Sequence, residues 1–211
     1  GETTRLTESP EDQLAQSWHP GERLLAFTGT RGGTGQDLMI LPMEGDAVRG
    51  LLPGKPTVFL STPTDESAPE FSPDGRFIAY VSTESLGADI YVRPFPGPAG
   101  KWRISTSGGI HPRWSATSHE LLFENQNQIL AAPYSVVGDS FRPEKPRLWS
   151  KARHRSSGNG TPYPYDIHPD GKRLAIRAAP GEEGSGGPAQ DKVVFFFGFG
   201  EYLKKIAPVG K

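Results

Sequence analysis

Short apolar runs, each closed by Gly, Pro, Asp or Ser, punctuate the chain from end to end. Turn residues at such intervals between apolar segments predict an all-β protein with many tight reversals. Four segments align without gaps: Trp18 to Phe27, Phe71 to Tyr80, Trp114 to Phe123 and Ile167 to Ile176. The clearest reads Phe71-Ser72-Pro73-Asp74-Gly75-Arg76-Phe77-Ile78-Ala79-Tyr80. A large apolar residue ends one strand. Pro then fixes φ, Gly supplies φ > 0, and an apolar strand returns antiparallel.

The anchors Trp18, Phe71, Trp114 and Ile167 stand 53, 43 and 53 residues apart. A repeat of about 40–50 residues matches one four-stranded propeller blade. Third strands are predicted at Asp37 to Met43, Asp89 to Phe95, Gln128 to Tyr134 and Asp191 to Phe197. Fourth strands fall at Thr57 to Ser61, Lys101 to Ser105 and Pro146 to Ser150, and Glu201 to Ile206 reads as a short C-terminal helix. The expected fold is a single β-propeller-like domain of about four four-stranded antiparallel blades, at 10–62, 66–107, 110–151 and 163–211. Residues 1–8, with Thr3 to Thr7 as the candidate, make a stray outer strand. Each blade offers an apolar face to both neighbours, so a run of four must close through that strand, oligomerise, or belong to a longer chain. An opening at Gly1 leaves room for a leader or an upstream domain.

Composition changes this picture little. The 26 Gly and 21 Pro are dispersed among the runs rather than gathered in one tract. Lys and Arg total 23 against 24 Asp and Glu, and a balanced charge argues against a nucleic-acid or anionic-membrane partner. The absence of cysteine excludes disulfides, thiolate chemistry and Cys-containing zinc motifs. No apolar run approaches the ~18 residues of a membrane span, Val193 to Phe197 coming nearest.

Phe71 to Arg76 through Tyr91-Val92-Arg93-Pro94-Phe95-Pro96-Gly97, then Lys101 to Thr106, Gly108-Gly109 and Pro112-Arg113-Trp114-Ser115, carry a resemblance. With Asp166 to Gly171 and Glu201 to Lys205, the chain resembles the TolB-like propeller family. It is most similar to the C-terminal propellers of bacterial membrane-bound serine/threonine protein kinases. The resemblance implies a recognition or sensing module in the periplasm or another extracytoplasmic place, and it brings no catalytic residues. Such propellers usually have six or more blades, whereas about four are present here. No glycine-rich phosphate loop or catalytic-loop Asp/Asn pair of a kinase is seen.

Candidate chemistry is sparse. There is no Gly-x-Ser-x-Gly elbow, and His154, Ser156 and Ser157 are merely close in sequence. Gly29 to Gly35 lacks the Lys-Ser/Thr ending of a phosphate loop. The histidines offer more. His19 and His168 follow their anchors, Asp166 lies two residues before His168, and His111 lies three before Trp114. Asp-x-His on one inner strand with His from other blades supplies three N/O ligands and an open water position. His19, His111, Asp166 and His168 are therefore candidate ligands for zinc or another divalent metal, with Glu70 or Asp166 as proton acceptor. The competing reading is that a His before Pro-Asp-Gly bonds the turn backbone, as Ser72 would in its place.

Trp18, Trp102, Trp114 and Trp149 recur at equivalent places and are expected in the core. Phe195 to Phe199 is expected to form an inter-blade face or a protein interface. Two functions follow from these observations. One is a non-enzymatic binding module for a small ligand, peptide or protein at the channel mouth, working as a homo-oligomer or beside further blades. The alternative is a metal-dependent hydrolase of esters or phosphoesters, built from inner-strand histidines.

Overall fold

A computed structural model describes residues 5–31, 35–46, 50–97, 100–150, 153 and 163–176. The expected C-terminal helix, the strand at 191–197, the aromatic run at 195–199 and His154 lie outside these residues. The described part is all-β: it holds sixteen strands, every pairing antiparallel, and no helix.

The first sheet runs β1 (Gln13–Trp18), β2 (Leu24–Arg31), β3 (Gly35–Asp46), with β4 (Gly50–Pro53) and β5 (Thr57–Leu60) both paired to β3. The second is β6 (Glu66–Phe71), β7 (Phe77–Ser82), β8 (Asp89–Pro94) and β9 (Trp102–Arg103) in sequence order. The third repeats the first, with β10 (Ile110–Trp114), β11 (Glu120–Asn125), β12 (Gln128–Val137), β13 (Ser140–Pro143) and β14 (Arg147–Leu148). β15 (Tyr165–Ile167) and β16 (Leu174–Ile176) form a last two-stranded sheet. The extra strands β4 and β13 have no counterpart in the sequence pattern. They arise because β3 and β12 outrun their fourth-strand partners and fold back on themselves, Gly138 taking φ 59° at the second reversal. That hairpin is useful: it plants Phe141, 1% exposed, against Phe77, Trp102, Trp114 and Tyr134.

All four repeat units close the same way. The N–H of the second residue donates to the carbonyl of the seventh: His19 to Leu24, Ser72 to Phe77, Ser115 to Glu120 and His168 to Arg173, each at 2.9 Å. The side chain of that second residue therefore leaves the strand and turns back over the loop. Gly75 and Gly171 take φ of 72° and 68°, the left-handed region that glycine occupies without steric cost.

Sheets pack face to face through alternate residues. Ala26 and Ile40 of the first sheet meet Phe71 and Ile78 of the second. Ala79, Val81, Ile90 and Val92 of the second meet Leu121, Phe123 and Ala132 of the third. Leu122, Ile129 and Ala131 meet Tyr165 of the last. Leu25, Phe27, Leu41 and Met43 alternate with the residues facing the second sheet, so they lie on its opposite face, where Leu6 packs. Residues 5–8, the described part of the expected outer strand, belong to no sheet. Trp18 pairs with Leu25 on that same face and is 52% exposed, so it is not the core residue that its repeat position suggested. Only Trp114 of the four tryptophans is buried outright; Trp102 and Trp149 pack partly buried against the cores.

Candidate functional site on the first strands

The first strand of each sheet bonds the first strand of the sheet before it. Ser17 Oγ accepts from Phe71 N–H at 3.0 Å, Trp114 Nε1–H donates to the Glu70 carbonyl at 3.0 Å, and Tyr165 Oη donates to the His111 carbonyl at 2.7 Å. These strands thus sit side by side at one edge of the array, as the inner strands of a propeller do. They are also bulged. The ladder shifts between Ala15 and Ser17, between Ser67 and Glu70, and between Ile110 and Arg113. Ala68 and His111, each three residues before its anchor, take left-handed φ of 53° and 54°. Such backbone is costly without glycine and persists where its surroundings dictate it. The bulges re-aim the side chains that follow.

At β10 the result is a buried polar cluster. His111 is 3% exposed, and its Nδ1 lies 2.9 Å from Glu124 Oε2. A carboxylate accepts, so the His111 Nδ1–H donates in this pair. The ring's Nε2 has no hydrogen-bond partner, and neither do the buried Arg113 Nε and Tyr163 Oη. The three residues are contiguous: the Tyr163 ring lies 5.1 Å from the His111 ring, and the Arg113 guanidinium sits 4.0 Å over the Tyr163 centroid. Arg113 Nη1 donates to both carboxylate oxygens of Glu70, at 3.3 and 3.1 Å. Asp166, exposed on β15, acts electrostatically on both Glu70 and Arg113. Burial pushes the Glu70 carboxyl up to about 7, in spite of the Arg113 charge and hydrogen bond that pull it down. Burial also raises the Tyr163 and Tyr165 hydroxyls above the usual tyrosine range.

A groove of about 230 Å³ opens beside this cluster, lined by Ser107, Gly108, Gly109, Ile110 and the Glu124–Asn127 turn. Glu124 borders it and holds His111. Two other buried acids, Glu66 and Asp89, are held by neighbouring side chains. Glu66 accepts from Thr62, Thr64 and Ser82, and Asp89 from Ser105 with Arg103 at 2.8 Å. A buried polar atom left unpaired is uncommon in a folded protein, and three on touching residues mark this place out.

The five residues singled out from sequence divide. Glu70, His111 and Asp166 border the cluster; His19 and His168 do not. His19 Nε2–H donates to the Gly75 carbonyl at 3.2 Å, and its Nδ1 accepts from Gly21 and Glu22 N–H at 3.1 and 2.8 Å. Its ring stands edge-on to Phe71 at 4.9 Å. His168 Nδ1 accepts from Asp170 N–H at 3.2 Å, while the Arg173 guanidinium lies 2.9 Å from Nε2, where a metal ion would have to be. Both histidines do for their turns what Ser72 and Ser115 do for theirs. Asp166 does not share a site with His168: its Oδ1 accepts from Ile167 N–H at 3.0 Å. Among the described residues no three His, Asp or Glu stand in positions to hold one metal ion. Sequence reasoning missed Tyr163 and Glu124 altogether, and Arg113 entered only as part of a resemblance.

No protein-family model and no curated protein matches the sequence. The fold itself has solved counterparts. The crystal structure of TolB from Acinetobacter baumannii matches with a TM-score of 0.55 at 17% identity, over 84% of this chain and 40% of that one. A TolB structure from Agrobacterium tumefaciens matches with a TM-score of 0.45 at 17% identity, over 65% of this chain and 50% of that one. The Acinetobacter baumannii match gives the architecture as a TolB-like β-propeller, as the resemblance implied. The chain spans half or less of the length of these two structures. At this identity the likeness is one of fold. Among the described residues no helix is long and apolar enough to cross a membrane.

Proposed function

We propose that the chain is a non-enzymatic binding module of the propeller type, which takes a small polar ligand or peptide segment at the edge formed by its first strands. One observation carries this reading: His111 Nε2, Arg113 Nε and Tyr163 Oη are buried without partners on touching residues, held by a left-handed bulge in β10. Burying such groups unpaired costs about 1–3 kcal/mol each, and a bound ligand that pairs them recovers that cost. The arrangement suits binding rather than turnover, because His19 and His168 are committed to turns and do not join His111. Further blades or a second copy completing the ring, and an extracytoplasmic setting, belong to the same proposal.

The test is a thermal-shift screen against a library of polar small molecules and short peptides, run on the protein and on Arg113→Met. Hits that stabilise the protein and are lost in the variant support the reading. Chelator-sensitive turnover of a generic ester or phosphotriester, with no hit depending on Arg113, contradicts it.

A further inference from the structure

Five of the eight large apolar side chains exposed among the described residues stand on the first sheet. Single exposed apolar residues are ordinary, but their gathering on one sheet marks a contact surface. Three of the five lie on the face turned away from the second sheet. Trp18 pairs with Leu25, Val58 pairs with Met39 opposite Phe27, and Leu51 pairs with Gly45, two residues beyond Met43.

The third sheet shows what such a face does. The two ladders correspond pair by pair: Trp18 with Leu25 and Leu25 with Leu41 match Trp114 with Leu121 and Leu121 with Ala132. In the fold-back hairpins, Met43 with Pro53 and Gly45 with Leu51 match Tyr134 with Pro143 and Val136 with Phe141. Leu51 thus holds the place of Phe141, and Trp18 that of Trp114. Phe141 packs on Phe77 and Trp102 of the second sheet and Trp114 bonds Glu70 there, so they are only 1% and 7% exposed. Leu51 and Trp18 are 47% and 52% exposed. The first sheet carries the same gripping surface with no sheet against it among the described residues.

Its mate is therefore the apolar face of another sheet of this repeat. The second and third sheets are covered on both faces. The fourth packs Leu174 and Ile176 on the third and turns Arg173 and Ala175 outward, which suits no apolar partner. On another copy of the chain, the sheet face left open is the first sheet's own. Trp18, Leu51 and Val58 bear no charge, so two such faces meet without repulsion. Leu6, partly buried over the middle of the face, extends the apolar surface.

We infer that this face is a homodimer surface, on which two copies of the chain stack their first sheets across a two-fold axis, with Trp18 and Leu51 as anchors from each side. The inference takes up the second copy named in the binding reading and does not depend on the buried cluster.

The experiment is sedimentation velocity of the intact chain at rising concentration, up to about 1 mM. The chain passes from monomer to dimer. Trp18→Asp and Leu51→Asp, at half-exposed positions that the monomer tolerates, each raise the dimer dissociation constant by about tenfold or more. Leu86→Asp, at a fully exposed apolar position away from this face, leaves it unchanged. In the parent chain the Trp18 indole N–H resonance shifts as the dimer forms while that of Trp114 does not, a readout that needs no substitution. A chain that stays monomeric throughout overturns the proposal, and so does a dimer that both substitutions leave intact. Either result leaves the Arg113-dependent hits, and with them the binding function, standing.

Discussion

Adding a single methyl group at Gly75 tests the claim that His19 belongs to a turn. The Cβ of Gly75→Ala would stand 2.3 Å from His19 Nε2 and 2.5 Å from its Cε1, at a φ of +72°. Two costs add. Placing a residue other than glycine in the left-handed region costs about 1 kcal/mol. Pushing His19 aside breaks its bond to the Gly75 carbonyl and disturbs its edge contact with Phe71, together about 1–2 kcal/mol. Gly75→Ala therefore destabilises by about 2–3 kcal/mol, and His19→Ala alone by about 2. The steric cost vanishes once the ring is gone, so Gly75→Ala in a His19→Ala background costs only the backbone share, about 1 kcal/mol. Urea unfolding of the four proteins yields the cycle, with an expected coupling of about 1–2 kcal/mol. Additivity to within about 0.5 kcal/mol would refute the contact and return His19 to the pool of available ligands.

Other expectations follow from the same structure. In the folded protein Glu70 keeps its proton up to about 7, against 4.5 ordinarily, so the folded state binds more protons between those values and stability falls as pH rises through them. The full fall is about 3 kcal/mol; unfolding midpoints at pH 5 and 8 should show it in the parent and not in Glu70→Gln, and equal slopes would contradict it. Trp114→Phe strands the Glu70 carbonyl and thins the core, costing about 1–2 kcal/mol in a denaturant titration. Leu121→Ala, fully buried between the second and third sheets, costs about 3 kcal/mol. Gly87→Ala, with open space at its Cβ, stays within about 0.5 kcal/mol and serves as the control.

The legible part of the fold is the local part. Pro-Asp-Gly fixes its own backbone angles, and a hairpin closed from the second to the seventh residue needs nothing beyond its ten-residue unit. The third unit shows how far this goes: Ala116-Thr117-Ser118 lacks both Pro and Gly, yet its Ser115-to-Glu120 closure is the same, with His119 taking φ 51°. The strands β4 and β13 escaped because four-residue fold-back segments, Gly-Leu-Leu-Pro and Ser-Phe-Arg-Pro, are too short to show the alternation that marks a core strand. The site was harder still. Trp114 reaches Glu70 across 44 residues and Tyr165 reaches His111 across 54, distances set by sheet packing and by no motif. The bulge at Ala68 and His111 is invisible because non-glycine residues carry no sign of a left-handed backbone. Reading His19 and His168 as a pair was sound as symmetry; what they share is a turn.

Four tryptophan indoles report on the central claim, because only Trp114 is bonded into the first-strand cluster, through Glu70. The direct measurement follows the indole N–H resonances by heteronuclear NMR while a hit from the library screen is titrated in, with assignments from single Trp→Phe variants. The account predicts that the Trp114 resonance moves and saturates with the ligand while that of Trp18, on the opposite face of the first sheet, stays in place. Saturable movement of Trp18 with Trp114 unmoved would contradict it.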